Sequence, residues 1–191
     1  MLVIISIITY QIVPKNQISK LQLATDKILL YLNYTRYIAH IDNKFDNYDD
    51  EWEKKRWTLK FLNCSTKYGG LYYNVYSDMH GGTAHYKKTD TLKDPLNNKY
   101  LYSNACSEDL LNDKSKHVLL SKEYDIKEIN VSCNTTSTIG QISFGFDGKI
   151  YSQLGTNIKE IDKTCYIKLI DKQNNFKEIA IEPKTGYIHK I

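Results

Sequence analysis

The chain lacks a long uninterrupted apolar run, contains no closely spaced cysteine pair and has only three prolines. A membrane-spanning helix takes about 20 consecutive apolar residues. The greasiest stretch, MLVIISIITYQIV, stops after 13 residues, at Pro14. It has neither the basic start nor the small-residue cleavage site of a secretory signal. The absence of C-x-x-C spacing argues against a structural zinc ribbon. G-x-S-x-G, Walker and G-x-G-x-x-G motifs are also missing, which removes the common signatures of nucleophilic hydrolases, P-loop enzymes and dinucleotide-binding folds. Net charge is only +4, with a pI near 8.7. That is milder than the concentrated basic field of a dedicated nucleic-acid binder.

What is present begins with Met1–Ile41. After Pro14 the pattern becomes amphipathic. Ile18, Leu21, Thr25, Ile28, Leu32, Thr35 and Ala39 recur at spacings of three and four, with Ala24, Tyr31 and Ile38 widening the seam. Such spacing places one apolar stripe on a helix of period 3.6. Pro14 has no N–H and crowds the preceding turn, so a kink is expected there. About 150 residues remain for a single globular domain. Sixteen tyrosines and few prolines favour strands joined by polar turns.

The connector DNKFDNYDDEWEKKR (42–56) carries Asp42, Asp46, Asp49, Asp50 and Glu51 but no central Gly. It therefore reads as a solvated helix end and turn, not an EF-hand loop. From Trp57 the period switches to two. Strands are expected at Trp57–Cys64, Leu71–Tyr76, His117–Leu120, Tyr124–Cys133, Gln141–Phe146, Lys149–Gln153, Thr164–Ile170, Phe176–Glu182 and Tyr187–Ile191. Asp147-Gly148 supplies a hairpin turn, because Asp-Gly tolerates positive φ. Ile142, Phe144 and Phe146, then Ile167 and Leu169, then Ile179 and Ile181 mark one inward sheet face. Residues 77–117 show no sustained period and read as an irregular insertion.

Within that insertion, His80 and His85, near Asp78, invite a metal or acid–base hypothesis. Their spacing of five does not align them on one helical face, and no nearby Glu supplies a base. No catalytic residue, metal site or cofactor is expected. Four cysteines, Cys64, Cys106, Cys133 and Cys165, allow three connectivities. Cys64–Cys106 with Cys133–Cys165 is preferred because each closes a moderate loop, and four buried free thiols are the alternative. Lys172, Lys177, Lys184, Tyr187, His189 and Lys190 form a C-terminal set able to contact DNA, with Tyr187 as a stacking platform. Scattered lysines that merely protect a strand edge are the competing reading.

The run Leu2-Val3-Ile4-Ile5-Ser6-Ile7-Ile8, followed by Ile12, Val13 and Pro14, resembles the N-terminal segment of type IV pilins and type II secretion pseudopilins. Met1 falls just after the position of that family's glutamate; the leader and the Gly-Phe-Thr-Leu-x-Glu motif are absent from this sequence. At the other end, Ile142–Ile150, Thr164–Ile170, Ile179–Ile181 and Thr185-Gly186-Tyr187-Ile188 follow the strand order of the minor pseudopilin group typified by the H component, with Tyr187 where many members carry Arg. The resemblance implies an α+β fold: a long N-terminal α-helix, kinked near Pro14, packed on a C-terminal antiparallel β-sheet domain. Residues 1–13 would be a membrane or filament segment, 14–41 the amphipathic part of the helix, and 42–191 a periplasmic β-rich domain. It further implies a non-enzymatic minor pilin or pseudopilin held single-pass in the inner membrane. Its implied partners are other pilins or pseudopilins met through the helix, membrane lipid, the secretion or pilus assembly machinery and, in a DNA-uptake variant, DNA. An envelope enzyme using His80 and His85 is the remaining alternative.

Overall fold

The computed structural model describes residues 18–42, 44–77, 79, 86–104, 112–135, 138–152 and 160–191. Helix α1 runs Lys20–Ile41. It starts where Ser19, in extended backbone, accepts the Gln22 N–H on its hydroxyl at 3.1 Å. Neither Gly nor Pro interrupts its 22 residues. One stripe is buried: Leu21, Ala24, Thr25, Ile28, Tyr31, Leu32, Thr35 and Ala39. The two threonines within it satisfy their hydroxyls on the backbone, Thr25 on the Leu21 carbonyl and Thr35 on that of Tyr31.

The strands are β1 (Trp57–Asn63), β2 (Leu71–Ser77), β3 (Ile126–Val131), β4 (Gly140–Phe144), β5 (Ile150–Tyr151), β6 (Cys165–Asp171), β7 (Phe176–Ile181) and β8 (Ile188–Lys190). They form two four-stranded antiparallel sheets, ordered β2-β1-β4-β5 and β3-β6-β7-β8. The buried stripe of α1 meets β1 and β4 of the first sheet and β6, β7 and β8 of the second. A second helix, α2, spans only Leu120–Tyr124 and ends at Asp125 in the left-handed region, φ 57°.

Two expectations are corrected here. Among the described residues the regular structure is mostly β, with a 22-residue helix, a five-residue helix and two sheets. It is not a long kinked helix packed on a C-terminal sheet domain. The physical reason is pairing: β1 takes β4 as its second neighbour, Leu59 opposite Ile142, so the C-terminal strands divide between two sheets. In addition, no helix among the described residues is long and apolar enough to cross a membrane, which overturns the single-pass inner-membrane placement. Lys20, Asp26, Lys27 and Arg36 interrupt α1 too often for lipid. The expected membrane or filament residues Leu2–Pro14 lie outside the described residues.

Smaller differences are local. The expected strand at His117–Leu120 is a 3-10 turn at Lys116–Val118 leading into α2. Phe146, expected to face inward, lies beyond the end of β4 and is exposed. The stretch read as irregular is anchored to the first sheet. Leu92 N–H donates to the Val75 carbonyl at 2.9 Å, and Val75 N–H donates to the Leu101 carbonyl at 3.0 Å, which covers the free edge of β2. Asn74 and Ser103 exchange amide–backbone hydrogen bonds across the same edge.

That segment is fastened by a buried carboxylate. Asp94 is 0% exposed and accepts from the Leu96 N–H (2.9 Å), Asn97 Nδ2 (3.0 Å) and Ser115 Oγ (2.7 Å). Burial alone pushes its pKa up, but the hydrogen bonds from Ser115 and Leu96, with the Tyr31 hydroxyl and His117 nearby, hold it below the usual range. Its stabilising contribution is therefore fully present above the ordinary carboxylate pKa and is lost as pH falls through the lower native value. Asp94→Ala strands three donors and is expected to cost about 3 kcal/mol in urea unfolding at pH 7. The difference from wild type should shrink in the same titration below about pH 4.

Candidate assembly interface

With its core stripe committed to the two sheets, α1 would be expected to be polar on the opposite side. It is not. Leu23 and Leu30 are each 39% exposed, Tyr37 57% and Ile41 56%. The first three are seven residues apart and Ile41 follows by four, so they line one ridge. At about 100° per residue that ridge lies roughly opposite Ile28, the centre of the buried stripe. The helix thus carries two apolar faces separated by polar flanks that include Gln22, Asp26 and Asn33. Gln22 Nε2 donates to Asp26 Oδ1 at 2.8 Å along one flank. Arg36 Nε donates to the Thr185 carbonyl at 3.1 Å, which ties the helix to the β7–β8 turn.

Near the C-terminal end of α1 lies an aromatic patch. Trp52 packs between Phe45 (centroids 5.3 Å) and Phe146 (4.9 Å), and Tyr48 is 100% exposed. The connector is held to the helix end by Asp42, which accepts from Trp57 Nε1 at 2.6 Å and pairs with Lys44 at 3.2 Å. His40 Nδ1 donates to the Phe146 carbonyl at 3.1 Å, fixing the β4–β5 turn against α1. The connector is thereby fixed beside the C-terminal end of α1, with Phe45, Tyr48 and Phe146 exposed.

The candidate residues named from the sequence fare differently. Cys133 and Cys165 form a disulfide with Cα atoms 5.2 Å apart. Cys64 is disulfide-bonded as well, while Cys106 lies outside the described residues. His80, His85 and Asp78 also lie outside them. Among the described residues no group of three or more His, Cys, Asp or Glu is placed to hold a metal ion. The C-terminal set is not gathered into a basic site. Lys172 pairs with Asp125 at 2.8 Å, Lys190 with Asp26, and His189 with Glu182 at 3.0 Å. Lys172 and Lys184 sit in turns at opposite ends of β7. Tyr187 is 59% exposed and stacks on His189 at 5.4 Å.

The outward ridge was missed by sequence reasoning although its seven-residue spacing is visible there; the aromatic patch was missed because Phe146 joins Phe45 and Trp52 only in the fold. The chain matches no protein family, no curated protein and no solved structure.

The His189–Glu182 pair makes a direct prediction. The hydrogen bond to Glu182 raises the His189 pKa above its usual value, while His189 and Thr164 lower that of Glu182. The pair therefore contributes between the ordinary carboxylate and imidazole ranges, and fades as pH rises through the His189 value or falls through that of Glu182. An NMR pH titration should place the His189 ring above about 6.5, and Glu182→Gln should bring it down.

Proposed function

We propose that the chain is a minor pilin- or pseudopilin-type structural subunit, a non-catalytic protein that helps to initiate or tip a type IV pilus or type II secretion pseudopilus. The observation that carries this reading is the second apolar ridge of α1, Leu23, Leu30 and Tyr37, on the side turned away from the domain. A helix that is apolar on two faces gains free energy only when something covers the second. Seven-residue spacing suits another helix, because knobs at that period stay in register along a crossing partner. The occupant proposed is the helix of a neighbouring subunit. If this ridge meets a different face of the neighbour, head to tail and with a rotation that does not close, the contact repeats into a filament.

Two further features support the same reading. The sequence preceding α1 is the apolar run that resembles pilin N-termini, and it lies on the same chain as the ridge. The ridge residues are not among the buried core residues, and Leu23 and Leu30 still leave about two-fifths of their surface open.

The test uses the full chain in sedimentation velocity over a concentration series. Wild type is expected to self-associate. Leu30→Lys combined with Tyr37→Lys should weaken association at least tenfold, equivalent to about 1.4 kcal/mol. The thermal midpoint should stay within a few degrees, since neither side chain reaches the core. Unchanged association in the double variant, or a wild type that stays monomeric throughout, overturns the proposal.

A further inference from the structure

The chain contains four Asn-x-Ser/Thr triplets: Asn33-Tyr34-Thr35, Asn63-Cys64-Ser65, Asn130-Val131-Ser132 and Asn134-Thr135-Thr136. This is the acceptor pattern for attaching a sugar to an asparagine amide, which needs an accessible Nδ2 and a hydroxyl two residues on. The fold sorts them. Asn33 lies within α1, and the Thr35 hydroxyl is buried and donates to the Tyr31 carbonyl. Asn134 is half-buried, and its Nδ2 donates to the Thr138 carbonyl. Asn63 and Ser65 are exposed at the end of β1, on either side of the disulfide-bonded Cys64. Asn130 and Ser132 are exposed at the end of β3, an edge strand of its sheet.

Alternation along an extended segment puts the Asn130 amide and the Ser132 hydroxyl on one face. Across from them on β6, Lys168 is in register with Asn130. Tyr166 N–H donates to Ser132 Oγ at 2.8 Å, and Ser132 N–H donates to the Tyr166 carbonyl at 2.9 Å. Glu128 Oε1 accepts from Asn130 Nδ2 at 3.0 Å, and an amide nitrogen carries a second hydrogen besides. Asn130, Ser132, Tyr166, Lys168 and Glu178 line an open hollow of about 460 Å³. Small-molecule sites occupy roughly 300–1,000 Å³, so a sugar ring bonded to Asn130 has room here. Tyr166 is 43% exposed and offers its ring to the apolar face of such a sugar. Lys168 and Glu178, 3.6 Å apart, offer a donor and an acceptor to its hydroxyls. The Cys133–Cys165 disulfide adjoins the triplet, and disulfides belong to the oxidising compartments through which glycosylated proteins pass.

We propose that Asn130 is an N-glycosylation site. Its Nδ2 attacks the anomeric carbon of a lipid-linked sugar diphosphate held by a membrane-bound transferase. A carbon–nitrogen bond forms as the carbon–oxygen bond to the diphosphate breaks. The lipid diphosphate leaves with that electron pair, and the amide proton passes to a base of the transferase. The position at the end of an edge strand leaves one side of the segment open to the enzyme. Once attached, a bulky hydrated group keeps that edge from pairing with other chains. The site is separate from the outward ridge of α1 and does not depend on filament assembly.

The test takes the full chain from the cells that naturally make it. The chain is cut with trypsin and its peptides are fragmented by electron transfer, which leaves sugars on their side chains. Cleavage after Lys127 and Lys149 yields a peptide holding both Asn130 and Asn134. The expected result is a mass increment of one or more hexose or N-acetylhexosamine units, assigned to Asn130. It should be lost in Asn130→Gln and in Ser132→Ala, made in the same cells, and kept in Ser132→Thr. Asn130→Gln serves if Ser132→Ala fails to fold, since Ser132→Ala alone loses the bond to the Tyr166 backbone. The proposal is overturned if the wild-type peptide carries no sugar, or if Ser132→Ala keeps it. Sugar on Asn33, Asn63 or Asn134 with Asn130 bare overturns it equally.

Discussion

The constraint on which the architecture rests is that one stripe of one helix must satisfy two sheets at once. Ala24, Ile28, Tyr31, Leu32 and Thr35 are all at or near zero exposure, and strands from both sheets reach them. A helix stripe serving a single sheet can be narrow. Here it is widened by small residues at Ala24, Thr25, Thr35 and Ala39, which let backbones approach, and by Tyr31 and Leu32, which fill the space between the sheets. Tyr31 meets Tyr73 of β2 in a tilted ring contact at 5.9 Å, so the largest of the fully buried side chains of the helix is also a link to a sheet edge. Five strands, β1, β4, β6, β7 and β8, and helix α2 are placed against this seam.

Much of the local structure was legible in the sequence. The spacing of Leu21, Thr25, Ile28, Leu32, Thr35 and Ala39 specifies the buried helical stripe. The alternation of Ile167 and Leu169 specifies a strand, expected at Thr164–Ile170 and found at Cys165–Asp171 with both side chains inward. Asp147-Gly148 reads as a turn, and Gly148 does take φ 80° while the Gly145 N–H bonds the Lys149 carbonyl at 3.0 Å. The partition of strands was not legible. Pairing of Trp57 with Phe144 spans a large part of the chain, and no local period reports it. Asp94 could not be recognised as a buried anchor either, because its partner Ser115 arrives from beyond an aperiodic stretch. At His117–Leu120 a short apolar run was compatible with either strand or helix, and neighbouring contacts decided for a 3-10 turn and α2.

The same contrast separates the outward ridge of α1 from a buried arginine. The ridge of Leu23, Leu30 and Tyr37 is a one-dimensional pattern overlooked because the core stripe already accounts for the helix. The burial of Arg56, 6% exposed with its guanidinium 3.8 Å from the Tyr151 ring, is a three-dimensional coincidence of the connector and β5. Nothing about Arg56 in the string of letters separates it from its lysine neighbours. Its burial beneath Tyr151 does.

The central place of β1 has a consequence for how the molecule is made. β1 and β2 are neighbours in the chain and can pair as soon as both have been synthesised, but β1 keeps an open edge until β4 arrives some 80 residues later. During that interval Leu59 and Phe61 stand on a half-built sheet beside unpaired backbone, the kind of nascent surface that captures strands from other chains. Ribosomes must therefore deliver most of this polypeptide before its first sheet can protect itself, and crowding at that stage selects between folding and aggregation.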